Sequence, residues 1–70
     1  MRKKALKNQI KVYRAKNDWT QEELAHRVSV TRKTINTIEN GKFIPSTYLA
    51  IKIAKVFGAS VEDIFQIEDA

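Results

Sequence analysis

Cysteine is absent from this 70-residue chain, histidine occurs once (His26), proline once and glycine twice. Without cysteine there is neither a disulfide framework nor a thiolate metal site, and a single histidine makes no metal cluster. A cysteine-free chain fits the cytosol, and a cytoplasmic location is expected. Apolar runs are only a few residues long, so no membrane partner is expected. Met1-Arg2-Lys3-Lys4 is positive, but no apolar signal core follows it. Enzymatic residues are missing too. Glu62-Asp63 and Glu68-Asp69 are adjacent carboxylates that helical geometry points apart, and no nucleophile–base pair or glycine-rich loop accompanies them. No enzyme activity, cofactor or metal is expected, and a chain of this length has no room for a small-molecule ligand domain.

What is present is a folded composition, 43% hydrophobic and 30% charged, with a net charge of +5. The charge is unevenly spread. Residues 1–42 hold 11 Lys+Arg against 4 Asp+Glu, and residues 43–70 hold 2 against 4. A basic front half attracts phosphate polyanions and gives salt-dependent affinity for nucleic acid. The bland alternative is an ordinary solvated basic face.

Five helical segments can be read, and no strand pattern competes with them. The first spans Leu6 to Lys16, where Leu6, Ile10 and Tyr13 recur on one helical face. Trp19 follows the break at Asn17-Asp18 and is expected to plug the core. Thr20-Gln21-Glu22-Glu23 fits a capping box opening the second helix, with Leu24, Ala25 and Val28 inward. After the turn at Ser29-Val30, Thr31 caps a third helix with Ile35 and Ile38 inward. Asn40-Gly41 ends it. Ser46 caps a fourth helix carrying Leu49, Ile53, Val56 and Phe57, stopped by Gly58. Ser60-Val61-Glu62-Asp63 opens a short fifth, with carboxylates near its positive end.

The segment from Thr20 to Lys42 is the informative one. Two short helices joined by about three residues must cross steeply. With the apolar positions inward, the outer face of the third helix is left with Arg32, Lys33, Asn36 and Thr37. These side chains suit the major groove: Arg and Lys donate to guanine O6 and N7, Asn pairs with adenine, and the Thr methyl meets the thymine methyl. A solvated helix face of the same composition is the plain alternative. Tyr13 and Trp19 lie on inner faces, so they read as core rather than as base-stacking platforms, and an RNA binder is disfavoured. His26, among polar neighbours, is read as exposed and without a role.

The stretch Trp19-Thr20-Gln21-Glu22-Glu23-Leu24-Ala25, followed by residues 28–42 (VSVTRKTINTIENGK), resembles the phage repressor/Cro-like (Xre family) helix-turn-helix. Pro45-Ser46, residues 52–58 (KIAKVFG) and residues 60–65 (SVEDIF) continue the match, so it covers roughly residues 8–65 without a gap. The resemblance implies an all-α, five-helix lambda-repressor-like DNA-binding domain, with a short extended C-terminal segment allowed. It implies a transcriptional regulator, usually a repressor and usually a homodimer on double-stranded DNA, here of the short stand-alone type. Residues 1–7 would form a basic arm and the start of helix 1, and residues 66–70 a short tail; Arg2, Lys3, Lys4 and Lys7 are candidates to lie along DNA or to fray.

Site roles implied by the resemblance follow position by position. Gln21 matches a phosphate ligand that can buttress the first base contact. Arg32, Lys33, Asn36 and Thr37 match base-facing positions. Thr31, Asn40, Lys42 and the backbone beside Phe43 match phosphate contacts. Arg14 and Glu39 match a structural ion pair between helix 1 and helix 3. Two positions depart from the pattern. Ser29 stands where glycine is common and would carry about 1–2 kcal/mol of left-handed strain, and Thr47 replaces a common leucine.

Ile44, Tyr48, Ile51, Phe65 and Ile67 exceed what so small a core can hide, so a dimer surface including Ile51, Phe65 and Ile67 is expected. Gln66-Ile67-Glu68 alternates and is a candidate strand across a two-fold axis. Dimerisation would set recognition helices about 34 Å apart, one turn of DNA, on a palindromic operator. The competing reading is an antitoxin that binds a toxin through residues 44–70 and represses its own operon; the short tail after Phe65 weighs against it.

Overall fold

The computed structural model describes residues 4–69, with side chains from 6 to 68. Five helices, α1 (Ile10–Asn17), α2 (Gln21–Arg27), α3 (Arg32–Glu39), α4 (Thr47–Val56) and α5 (Val61–Ile64), lie between two strands, β1 (Lys4–Asn8) and β2 (Phe65–Asp69). One core gathers Ile10, Leu24, Ala25, Val28, Ile35, Ile38, Leu49, Ile53, Ala54, Ile64 and Phe65, drawing on every helix and on β2.

The structure corrects the sequence reading at the N-terminal end: helix 1 begins at Ile10, not Leu6, and a strand precedes it, while the C-terminal extended segment is a strand as expected. β1 and β2 form an antiparallel two-stranded ribbon in which Leu6 faces Ile67 and Asn8 faces Phe65. The residues of β1 are tolerable in a helix, but the pairing partner lies at the far end of the chain and overrides that weak preference. Residues 66–68 pair within the chain, against β1. Gln9 N–H donates to Ile64 C=O at 2.8 Å, locking the ribbon onto the start of α1. Arg2 and Lys3 of the expected arm lie outside the described residues, and Lys7 sits exposed on the ribbon.

Helix starts follow local chemistry. Thr20, Thr31, Ser46 and Ser60 are extended N-caps whose hydroxyls accept the N–H three residues on. Ser60 and Asp63 complete a reciprocal capping box. The second half of the expected Thr20–Glu23 box is missing, because Glu23 turns outward to Arg27, one helical turn on, at 2.8 Å. α1 starts differently: the Asn8 side chain, one residue earlier, accepts from Ile10 N–H at 3.2 Å.

The helix ends are alike. α1 to α4 each stop at a left-handed residue, in turn Asp18, Ser29, Gly41 and Gly58. In each case its N–H, and that of the next residue, turn back to carbonyls of the last turn, as in Ser29 to His26 and Val30 to Ala25. Asp18 and Ser29 adopt φ of 57° and 62° with side chains that disfavour it. The turn persists at Ser29 because Val28 and Ala25 are buried on one side of it and Ile35 on the other. Aromatic packing closes the opposite side of α1: Phe57 stacks on Trp19 at 5.3 Å and leans on Tyr13 at 5.5 Å. Arg27 lies over the outer face of Trp19 at 4.1 Å.

Ser29→Gly is expected to raise the free energy of unfolding by about 0.5–1 kcal/mol, the relieved strain less the backbone entropy that glycine loses. Urea denaturation measures it, and an unchanged midpoint would mean that Ser29 is not strained.

Candidate nucleic-acid interface

α2 and α3 are joined by four residues, Val28 to Thr31, and Ile35 and Ile38 of α3 are 0% and 1% exposed. Burial of that flank leaves the other outward. Arg32 and Lys33 are exposed, Asn36 and Thr37 half-buried. Among the described residues neither Arg32 nor Lys33 forms an ion pair within the chain. The four base-facing candidates therefore share one surface, two of them as free cations.

Their hydrogen bonds separate them further. The Thr37 hydroxyl donates into its own helix, to Lys33 C=O at 3.1 Å and Thr34 C=O at 2.9 Å, which leaves its methyl as the group it can offer. Thr31 uses its hydroxyl to cap Thr34 N–H and to meet the Thr34 hydroxyl at 3.0 Å. Asn40 reaches back along the helix, its Nδ2 donating to Asn36 Oδ1 at 3.2 Å. Lys42 is exposed just past Gly41, and its N–H closes the helix onto Thr37 C=O. Phe43 is half exposed in the loop that leads to Ser46.

A polar network runs beneath this surface. Arg14 Nε and Nη2 donate to Glu39 Oε2 and Oε1 at 2.6 and 3.2 Å, a two-point contact joining α1 to α3. The two side chains are 14% and 7% exposed. Arg14 Nη1 also donates to Trp19 C=O at 2.9 Å, drawing the α1–α2 connection to the same point. Gln21, first residue of α2, donates from Nε2 to Glu39 Oε1 at 3.1 Å and accepts from Asn36 Nδ2 at 3.3 Å. The side chain of α3 that Gln21 holds is thus Asn36, in the middle of the helix.

Asn8 is the residue that sequence reasoning passed over. Besides capping α1, it donates from Nδ2 to Ile38 C=O at 3.0 Å and so holds the end of α3 from the ribbon side. An asparagine just ahead of an apolar helical run is a readable start signal, obscured here by extending the helix back to Leu6. Phe65 also needs correction. Expected on a dimer surface, it is 7% exposed and belongs to the protomer's own core, while Ile51 and Ile67 are 41% and 79% exposed. β2 carries Phe65 and Ile67 on one face, and the core covers only the first. Beside them Leu6, Pro45, Thr47, Ala50, Ile51, Val61 and Phe65 line an open apolar cavity of about 350 Å³. Thr47 reaches that cavity wall from the first turn of α4.

A pair of short helices joined by four residues, the second with a buried apolar flank and a cationic outer one, defines a helix-turn-helix protein. The chain belongs to the helix-turn-helix family HTH_3, which it matches over residues 10–64. Over 64 residues it is 55% identical to an uncharacterised HTH-type transcriptional regulator of Methanocaldococcus jannaschii, covering 91% of this chain and 97% of that one. It is 44% identical to the uncharacterised HTH-type transcriptional regulator YgzD of Bacillus subtilis, with the same coverage of 91% and 97%. Among solved structures, the clp gene regulator ClgR of Corynebacterium glutamicum superposes with a TM-score of 0.72 at 30% identity, over 77% of this chain. This chain spans 57% of the ClgR chain. A Bacteroides fragilis protein at 24% identity shares the fold, with a TM-score of 0.77 over 87% of this chain and 98% of that one.

Glu39→Ala is expected to cost about 3–5 kcal/mol of stability, since it strands a largely buried guanidinium. Replacing both partners, Arg14→Met with Glu39→Met, is expected to cost less than the single change. Urea melts of the two variants check this, and equal losses would show that the charge pairing contributes nothing.

Proposed function

We propose that this protein is a sequence-specific regulator of transcription that places α3 in the major groove of double-stranded DNA. One observation carries the reading. α3 buries Ile35 and Ile38 completely and leaves Arg32 and Lys33 exposed and unpaired within the chain beside Asn36 and Thr37. Two exposed, unpaired cations on one helix face are attracted by the phosphate ridges of DNA. The chemistry of the four side chains then matches base edges: Arg32 and Lys33 toward guanine, Asn36 toward adenine, the Thr37 methyl toward thymine.

The phosphate contacts flank this helix. Gln21 Nε2 carries two hydrogens; Glu39 takes one, and the other is available to a phosphate oxygen. Lys42 and the backbone around Phe43 supply the second contact beyond the end of α3, with Asn40 at that end and Thr31 at the start of the helix. Such contacts set register, and the base edges set sequence.

Two copies acting together extend the reading. Ile44, Tyr48, Ile51 and Ile67 are exposed apolar side chains contributed by α4, its leading loop and β2. The inward face of β2 continues past buried Phe65 to uncovered Ile67, a pattern that a second copy would complete. A two-fold dimer would carry two recognition helices about 34 Å apart and read an inverted repeat, repressing where that site overlaps a promoter.

Selection of bound sequences from random duplex DNA tests the whole reading, and the expected product is a palindrome with half-sites one helical turn apart. A selection that returns no motif would sink it. Arg32→Ala and Asn36→Ala are each expected to weaken binding to the selected site by about 1–3 kcal/mol, with little effect on random duplex. Lys42→Ala is expected to weaken all sequences alike and to lower the salt slope by about one. Ile67→Asp is expected to shift the protein toward monomer in sedimentation; an unchanged state would place the dimer surface elsewhere.

A further inference from the structure

We infer that the Arg14–Glu39 ion pair sets base specificity, by fixing through Gln21 which way round the Asn36 carboxamide faces the groove. This rests on the reading of Asn36 as a base-contacting residue. It assigns to Glu39 and Gln21 a positioning role in DNA recognition beyond holding helices together.

A side-chain amide has two ends of similar shape and opposite chemistry, and nothing in its own geometry decides between them. Here the choice is imposed from below. Glu39 is an acceptor at both oxygens, and Arg14 holds both of them in place. The group facing Glu39 Oε1 must therefore be a donor, so Gln21 turns its Nε2 to it at 3.1 Å. That leaves Gln21 Oε1 facing α3, where it can only accept, and Asn36 answers with Nδ2 at 3.3 Å. Asn36 Oδ1 then faces Asn40 Nδ2 at 3.2 Å. Reversing Asn36 alone would put oxygen against oxygen at Gln21 and nitrogen against nitrogen at Asn40. Reversing Gln21 as well would put its oxygen against the Glu39 carboxylate, a repulsion in a part-buried site where water screens poorly.

Each end of Asn36 keeps something in reserve. Nδ2 has a second hydrogen and Oδ1 a second lone pair, and this pair is the donor–acceptor set that matches adenine N7 and N6. Its order along the groove is fixed by a carboxylate on the far side of Gln21. A neutral residue at position 39 would let the chain of amides run in either direction. Asn36 would then meet either order of donor and acceptor at the base edge.

The test is selection from random duplex DNA with four forms of the full chain: wild type, Asn36→Ala, Glu39→Gln and Gln21→Met, each also melted thermally. Asn36→Ala identifies the base pair that Asn36 reads. Wild type is expected to prefer one base there by about tenfold or more. Glu39→Gln is expected to bring that preference to within about twofold, leave the other positions of the motif as they were, and keep the salt slope. Gln21→Met retains the Arg14–Glu39 pair, so it decides the matter should Glu39→Gln fail to melt cooperatively; the same base pair is expected to lose its preference, on top of a uniform loss from the phosphate contact. If Asn36→Ala erases a preference and both other variants retain it, the inference is overturned while the base-reading role of Asn36 stands. A uniform drop across all positions in Glu39→Gln, with lowered melting, would likewise overturn it and leave the ion pair purely structural. Should Asn36→Ala change no position, the base-reading role fails and the inference with it.

Discussion

The polar contacts that hold α3 to the rest of the chain converge on one largely buried carboxylate. Glu39 stands at the end of that helix, where α1, the α1–α2 connection and α2 converge, and an anion there is tolerable only if its oxygens are satisfied. Arg14 supplies charge and two hydrogen bonds, Gln21 a third. In return three separate stretches of chain are held at fixed distances from α3, and Arg14 is committed to this contact although it lies in the basic half of the molecule.

The apolar core solves a different part of the problem. Ile35 and Ile38 fix the rotation of α3 about its axis by going fully inward, and Leu24, Ala25 and Val28 of α2 receive them. Hydrophobic burial is strong but non-directional. It turns the helix the right way without choosing the orientation of any polar group. The polar network adds direction, since hydrogen bonds have donors and acceptors that must match. Under the proposed reading, a helix rotated by packing and indexed by hydrogen bonds is better prepared to meet base edges than one held by either alone, because less ordering remains to be done on contact.

The ribbon ties this arrangement to the rest of the chain. Asn8 caps α1 and binds the end of α3 at once, while β2 brings Phe65 into the core and leaves Ile67 outside it. Under the dimer reading, the surface that meets a second copy and the helix that meets DNA are connected through a two-stranded ribbon and a single asparagine. The left-handed non-glycine residue at Ser29 fits the same picture: packing on both sides dictates the turn, and the local residue conforms.

Much of this was legible in the chain itself. The caps at Thr20, Thr31, Ser46 and Ser60, the stops at Gly41 and Gly58, and the inward positions of α2 to α4 are local matters, settled within one or two turns by spacing and side-chain chemistry. The identity of the outward face of α3 followed from them. What the linear chain did not contain was anything that joins distant residues without a periodic signature. β1 reads as helix until β2, at the other end, offers it hydrogen bonds; Phe65 reads as exposed until that pairing turns it inward. The direction of the amide chain from Glu39 to Asn36 is the sharpest case. Each residue of it is visible in the sequence, but a carboxamide has no preferred end until a neighbour from another helix is either a donor or an acceptor, and only the folded arrangement brings that neighbour within 3.5 Å.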